Sequence, residues 1–194
     1  MLDTHGRKFV QPLITKTAIF FNNFGYSPNI ITKTAFILGL ISSIFLYFDY
    51  TILSLIILWT SGYLDAVDGT MARLQNKKSP WGTVLDVTFD RLVEISIIIS
   101  LALKFPQSNF YLILLIASIV FSITVFLTVG ALSINTGVKS FYYQAGFAER
   151  TEGFIFFTLM ILFNKYLIFI TLVFSAAIVF TAFQRLREAK KIFT

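Results

Sequence analysis

Six long apolar runs constrain this chain more than any other feature of its sequence. A helix of about 20 mostly apolar residues crosses the hydrocarbon of a bilayer. The runs cover residues 29–48, 51–69, 83–104, 110–134, 153–164 and 166–183, of which the fifth is short. Since 56% of the 194 residues are hydrophobic and only 13% are charged, the composition also indicates a bilayer environment. We therefore predict an all-α integral membrane protein with six transmembrane helices.

The segment before the first span has the pattern of an amphipathic helix. One helical face carries Val10, Leu13, Ile14, Thr17, Ala18, Phe21 and Phe24, and the opposite face is polar. This pattern is typical of a helix that lies in the headgroup layer. The alternative, a first and poor transmembrane segment, is disfavoured by the continuous polar stripe. We predict one domain, 1–194, made of an interfacial helix (1–25), a six-helix membrane domain (26–186) and a cytoplasmic tail (187–194).

The net charge of +6 is explained by topology. Most basic residues flank the ends of the spans that lie on one side, and the opposite loops offer only Lys104 and Lys165. The positive-inside rule then places both termini and the loop between the second and third spans in the cytoplasm. Because these charges flank spans and form no basic surface on a soluble domain, we expect no nucleic-acid binding. The absence of cysteine excludes disulfides and thiolate chemistry.

Four acidic residues lie in or at the ends of the second and third spans: Asp65, Asp68, Asp86 and Asp90. Ionised carboxylates near hydrocarbon cost several kcal/mol unless they are neutralised, so such residues are functional candidates. The helical repeat places Asp65 and Asp68 on one face, together with Gly69, Ala72 and Arg73. Gly82, Asp86 and Asp90 recur every four residues and share a face of the next helix.

The two acidic faces are expected to meet. Only residues 74–81 connect the spans, which predicts antiparallel neighbours whose four carboxylates converge. Mutual repulsion would protonate some of these groups unless a cation joined them, and all-oxygen ligands favour a hard ion such as Mg²⁺. Mg²⁺ also binds substrate phosphates. Arg73 offers a planar fork for a phosphate, and the small Gly69, Ala72 and Gly82 would let a nucleotide or pyrophosphate approach the backbone.

Two other interpretations use the same residues. Glycine and alanine on membrane helices often serve close helix packing, so Gly69, Ala72 and Gly82 alone are weak evidence for a ligand. Intramembrane acids also line proton or cation pathways, which would make the chain a transporter. A pathway spreads its acids over several helices, whereas here they are confined to two helix faces, so the enzyme interpretation is favoured.

The complete string is Asp65-x2-Asp68-Gly69-x2-Ala72-Arg73-x8-Gly82-x3-Asp86-x3-Asp90. It resembles the signature of the CDP-alcohol phosphotransferases, and the six-span layout resembles that family over nearly the whole chain. The resemblance implies that Asp65, Asp68 and Asp86 hold Mg²⁺ or Mn²⁺, as two ions, and that Asp90 is a further ligand or the base that deprotonates the alcohol. It also implies a homodimer. Contacts to a CDP-activated lipid such as CDP-diacylglycerol are implied for Gly69, Arg73, Ser79, Pro28, Asn29 and Thr32.

The acceptor alcohol is less constrained by the sequence. Asp86 is followed by Val87 and Asp90 by Arg91, which departs from the Asp-Pro-x-x-Asp-Lys of glycerol-phosphate members and resembles inositol-type enzymes. Basic residues at the cytoplasmic ends of the spans could bind a phosphorylated polyol such as inositol phosphate or glycerol 3-phosphate: Lys77, Lys78, Arg91, Lys139 and Arg150. The lysines could equally well be present because they set the orientation of the spans in the membrane, and Arg91 could instead pair with Glu94. Serine and inositol are the alternative acceptors.

Overall fold

The computed structural model describes residues 7–75, 79–133 and 146–193. Within these ranges the chain is helical and contains no strand. The helices are α1 (Arg7–Asn23), α2 (Pro28–Tyr47), α3 (Thr51–Leu74), α4 (Pro80–Lys104), α5 (Asn109–Leu132), α6 (Arg150–Leu162) and α7 (Leu167–Phe193). They belong to two compact units, an amino-terminal one of Gly6–Lys104 and a carboxy-terminal one that includes Phe105–Thr194.

Four helical segments are long and apolar enough to cross a membrane: Pro28–Tyr47, Thr51–Leu74, Pro106–Leu132 and Asn164–Phe193. The predicted all-helical fold is therefore confirmed, and four of the six predicted spans are supported. The other two are less apolar or shorter. α4 has 25 residues but carries several charged side chains, and α6 has only 13 residues.

Helix α7 is longer than the predicted sixth span. It continues to Phe193, so most of the segment predicted as a tail is helical. Its last turn carries Lys190 and Lys191, which interact favourably with the negative end of the helix dipole.

Small and hydroxyl-bearing residues hold the amino-terminal unit together. α2 is its central element, because α3 and α4 each pack against it. The hydroxyl of Ser61 donates to the Ala35 carbonyl at 2.7 Å, and that of Ser100 donates to the Ser43 carbonyl at 2.7 Å. Small side chains let membrane helices approach closely, and hydroxyl groups then bond across the contact.

The turn between α2 and α3 is closed by a lysine from α4. Lys104 Nζ donates to the Leu46 carbonyl at 2.9 Å and pairs with Asp49 Oδ1 at 2.6 Å. Asp49 has a φ of 67°, a left-handed conformation that aspartate tolerates better than most residues. Lys104 is one of the two basic residues predicted from the sequence to lie on the side opposite the other cations, and Asp49 compensates its charge.

Helix α1 divides its apolar side chains between two surfaces. Ile14 and Ala18 are buried against Val67 and Met71. The rings of Phe9, Phe20 and Phe24 and the side chain of Leu13 stay exposed. The first set attaches α1 to the unit, and the second remains available to lipid.

In the carboxy-terminal unit, α5 and α6 both pack against α7. The ring of Phe174 stacks on Phe156 with centroids 4.6 Å apart, and it meets Phe157 edge-on at 5.5 Å. Aromatic pairs of these geometries add to the energy of apolar burial.

Candidate metal and nucleotide site

Three carboxylates from two helices come together in the amino-terminal unit. Asp65 and Asp68 lie on α3, and Asp86 lies on α4. One oxygen of each lies within 4.8 Å of the others. Asp65 and Asp68 are buried and Asp86 is half-buried. Three negative groups this close repel one another strongly unless a cation lies among them.

The predicted convergence is therefore present for these three residues, although the backbones of α3 and α4 pack mainly against α2 and less against each other. Among the described residues their backbones approach at few positions, because both helices pack against α2 instead. An ion and a substrate phosphate need space beside the carboxylates, which two closely interlocked helices would not leave.

The environment of Asp68 fits a hard cation. Its Oδ2 atom is buried and accepts no hydrogen bond from the described part of the chain. The hydroxyl of Thr32 lies within hydrogen-bonding reach of the Asp68 carboxylate and 3.1 Å from the Pro28 carbonyl. A buried carboxylate oxygen without a donor is costly, and a metal ion removes that cost. The all-oxygen donor set of Asp65, Asp68 and Asp86 suits Mg²⁺ or Mn²⁺.

Asp90 lies one turn farther along α4 and outside the group of three. It is within electrostatic range of Asp86 and Asp68. A carboxylate beside a metal centre, but not in its tightest group, is well placed to accept a proton. Both roles predicted for Asp90, metal ligand and base, stay predictions.

Three of the residues predicted for the nucleotide, Gly69, Ala72 and Arg73, lie near the end of α3. Among the described residues, a methyl group added to Gly69 would meet only the Arg73 Nη1 atom, at 3.6 Å, so this part of the structure leaves space open there. Ala72 is half-buried. Arg73 is exposed, and its Nη2 donates to the Thr70 hydroxyl at 2.7 Å. The open space at Gly69, with a guanidinium beside it, is compatible with an approaching phosphate.

Asn29, Ser79 and Gly82 lie together where α2 and α4 begin. The Gly82 amide donates to the Ser79 hydroxyl at 3.0 Å, as in a helix cap. A Cβ on Gly82 would lie 3.2 Å from that hydroxyl and 3.6 Å from Asn29 Oδ1. Pro28 is the first residue of α2, where proline suits the missing amide hydrogen bond. Ser79 and Pro28 therefore have a local structural role besides the predicted contact to the lipid nucleotide.

Only two of the predicted acceptor residues fall within the described part of the chain, since Lys77, Lys78 and Lys139 lie outside it. Arg91 Nη1 lies 2.6 Å from Glu94 Oε2, which is the pairing foreseen as the alternative. Arg150 is the first residue of α6, and its guanidinium lies over the Phe154 ring at 6.0 Å. Glu149 and Glu152, around it, form a capping box at the start of α6.

The sequence explained Arg185 only as one of the basic residues that set the orientation in the membrane. The structure instead buries its side chain. Its guanidinium lies over the Phe126 ring at 4.8 Å and donates to the Ser122 hydroxyl at 3.4 Å. The available signal was its spacing of four residues from Thr181, which puts both on one face of α7. Glu94 was considered only as a partner of Arg91, although it continues the four-residue repeat of Gly82, Asp86 and Asp90.

The comparisons with known proteins agree with this geometry. The model of the family described as CDP-alcohol phosphatidyltransferase matches residues 26–183. Archaetidylinositol phosphate synthase from Pyrococcus horikoshii is 34% identical over 194 residues, which cover 98% of this chain and 97% of that protein.

Phosphatidylinositol phosphate synthase from Mycobacterium tuberculosis has a similar fold in two crystal structures, each with a TM-score of 0.70 and 21% identity. The structure with CDP-DAG bound covers 92% of this chain and 94% of its own. The structure in complex with manganese and citrate covers 91% and 88%. The family match extends over most of this chain and includes every position of the acidic signature, so the predicted resemblance is confirmed. This chain is a membrane-embedded member of the CDP-alcohol phosphatidyltransferase family.

Proposed function

We propose that the chain transfers the phosphatidyl group of CDP-diacylglycerol to a hydroxyl of a phosphorylated polyol and releases CMP. The acceptor is of the inositol phosphate or glycerol 3-phosphate type, and the product is a phospholipid. The observation that carries this proposal is the grouping of Asp65, Asp68 and Asp86 across α3 and α4, within the family's complete signature.

We assign Asp65, Asp68 and Asp86 to a centre of two Mg²⁺ or Mn²⁺ ions. The unpartnered Oδ2 of Asp68 supports this assignment, as does the manganese in the M. tuberculosis relative. Bound metal would neutralise charge on the pyrophosphate and on the departing CMP.

Asp90 is assigned the proton transfer. It accepts the proton of the acceptor hydroxyl as that oxygen bonds to the phosphorus carrying diacylglycerol. The bond from this phosphorus to the bridging oxygen of the pyrophosphate breaks, and CMP departs with that oxygen. Because little covalent chemistry falls to the protein, positioning and electrostatics provide most of the catalysis.

The nucleotide is assigned to the ends of α2, α3 and α4. Arg73 would pair with the pyrophosphate, and the open space at Gly69 would admit it. The remaining residues assigned to the lipid nucleotide are Ala72, Gly82, Ser79, Pro28, Asn29 and Thr32. Of these, Thr32 has its hydroxyl within hydrogen-bonding reach of the Asp68 carboxylate, so we expect a change there to affect metal and nucleotide together.

The acceptor's phosphate is assigned to Arg150, with Lys77, Lys78 and Lys139 as further candidates. Arg91 is a weaker candidate than its sequence position indicates, because Glu94 already holds its guanidinium. Val87 and Arg91 follow the pattern of inositol-type enzymes, and the P. horikoshii relative is named for an inositol phosphate product. We therefore favour inositol phosphate over glycerol 3-phosphate, inositol and serine.

For the topology, we propose six spans, a single functional domain and a homodimer, with both termini and the site on the cytoplasmic side. α4 would be a span whose charged face is turned away from lipid, since Asp86, Asp90 and Glu94 repeat on one side of it. α1 would lie in the headgroup layer with Phe9, Leu13, Phe20 and Phe24 toward the acyl chains. The water-soluble acceptor and CMP would then exchange with the cytoplasm.

The test is an acceptor panel. Purified protein in detergent receives CDP-diacylglycerol, Mg²⁺ and one of inositol phosphate, glycerol 3-phosphate, inositol or serine, and CMP release is measured. We expect release with one phosphorylated polyol and little with serine. CMP release with none of the four would refute the proposal. Ion flux into proteoliposomes without nucleotide would instead support the transporter alternative.

A further inference from the structure

The turn before α6, residues 146–149, is bonded to α7 through Thr181. The Ala148 amide donates to Thr181 Oγ1 at 2.8 Å, and this hydroxyl in turn donates to the Ala177 carbonyl at 2.9 Å. Thr181 is fully buried, at 0% exposure. The hydroxyl thus acts as acceptor for the turn and as donor to its own helix, which leaves valine unable to replace it.

Two neighbours of Ala148 also contact α7. A Cβ on Gly146 would lie 2.3 Å from Thr181 Cγ2, so this position accepts no side chain while the threonine methyl is present. The Phe147 ring meets Phe180 edge-on with centroids 5.7 Å apart. Three consecutive residues are therefore seated on one surface of α7.

This turn leads directly into the first turn of α6. The Gly146 amide donates to Glu149 Oε1 at 2.9 Å, and Glu149 and Glu152 form the capping box of α6. Arg150 is the next residue, the first of the helix. A chain of hydrogen bonds thus runs from Thr181 through the turn to the helix end that carries Arg150.

We infer that Thr181 is a positioning residue for acceptor binding, because it seats the 146–149 turn and thereby fixes Arg150. The inference rests on the proposed function, in which Arg150 binds the acceptor's phosphate. Charge-assisted, bidentate recognition of a phosphate depends strongly on geometry, so a small displacement of the helix end weakens it. Neither the lipid nucleotide nor its metal is assigned to this turn.

The first experiment compares Thr181→Val with Thr171→Val. Both threonines are fully buried on α7, but within the described ranges the Thr171 hydroxyl bonds only to the Leu167 carbonyl of its own helix. With inositol phosphate as acceptor, Thr181→Val should raise the acceptor KM about tenfold and change the CDP-diacylglycerol KM by less than about twofold. Thr171→Val should leave both KM values near those of the wild type. Equal effects of the two variants, or equal changes in both KM values, would overturn the inference.

A second experiment uses the close approach of Gly146. Gly146→Ala should also raise the acceptor KM, since its methyl group displaces the turn from Thr181 Cγ2. Serine keeps the hydroxyl and lacks that methyl, so Thr181→Ser alone should have little effect, and Gly146→Ala combined with Thr181→Ser should regain most of the lost affinity. An acceptor KM for the double variant as high as that of Gly146→Ala would overturn the inference.

Amide hydrogen exchange gives a readout that does not depend on turnover. Peptides that contain Ala148 should exchange faster in Thr181→Val than in Thr171→Val, because the Ala148 amide has lost its acceptor. Unchanged exchange would show that Thr181 does not seat the turn. Failure of the proposed function looks different, because then the wild-type protein itself releases no CMP with any acceptor.

Discussion

Gly39 of α2 lies so close to Val93 of α4 that a Cβ at position 39 would be 2.4 Å from Val93 Cγ2. The Ser61 hydroxyl of α3 would lie 3.1 Å from the same added atom. One glycine therefore marks the place where α2 meets both of the helices that carry the acidic residues. We therefore expect this contact to influence the separation of Asp68 from Asp86, because α3 and α4 have few backbone contacts with each other among the described residues.

We predict that Gly39→Ala destabilises the protein by about 1–3 kcal/mol, the usual cost of overpacking a core. The variant should melt at a lower apparent Tm in detergent and lose activity in parallel. Removing the opposing methyl groups with Val93→Ala in the same chain should recover much of the Tm. A wild-type Tm for Gly39→Ala alone would contradict the packing described here.

Unlike Gly39→Ala, Gly69→Ala should leave the stability of the protein unchanged and weaken the binding of CDP-diacylglycerol. A methyl group at position 69 finds room, since its nearest neighbour would be Arg73 Nη1 at 3.6 Å, so Tm should not fall. If the nucleotide occupies that space, the KM for CDP-diacylglycerol should rise about tenfold, which corresponds to about 1.4 kcal/mol. Steady-state CMP release at varied CDP-diacylglycerol measures this, and an unchanged KM would remove Gly69 from the nucleotide site.

Asp68→Asn should abolish metal binding. The amide cannot supply the second anionic oxygen, and we expect Mn²⁺ titration followed by electron paramagnetic resonance to show loss of the bound ion. CMP release should fall about 10²–10³-fold, since a metal ion contributes several kcal/mol to charge stabilisation. Asp49→Asn is the control, because Asp49 pairs with Lys104 at the turn that precedes α3. Retained Mn²⁺ binding in Asp68→Asn would rule out the proposed ligand set.

Asp90→Asn should separate the two roles predicted for this residue. If Asp90 is the base, CMP release should fall about 10²–10⁴-fold while Mn²⁺ affinity changes little. The same resonance titration and the CMP assay are performed on one preparation. A variant that loses Mn²⁺ binding together with activity would place Asp90 among the metal ligands instead.

The variants Arg91→Ala and Arg150→Ala should differ in which substrate's KM they change. Arg91→Ala leaves the Glu94 carboxylate without its guanidinium partner, so we expect a stability loss of about 1–3 kcal/mol and similar changes in both KM values. Arg150→Ala should raise the KM of inositol phosphate and leave that of CDP-diacylglycerol unchanged. A selective acceptor effect of Arg91→Ala would return that residue to the acceptor site.

The amino-acid sequence by itself determined the helical fold, the membrane environment and the face on which each acidic residue lies. These properties depend on local geometry. A run of apolar residues sets the length available to cross a bilayer, and the helical repeat of 3.6 residues puts Asp65 beside Asp68 and Asp86 beside Asp90 whatever surrounds them. The spacing of the signature was also sufficient to indicate the family.

Only the tertiary structure decided how residues on different helices are related. The sequence predicted that α3 and α4 are neighbours, but among the described residues both helices pack mainly against α2 and meet each other at few positions. The burial of Arg185 was likewise settled by packing. Distances between helices depend on which side chains interlock, as Gly39 does with Val93, and no periodicity within one helix contains that information.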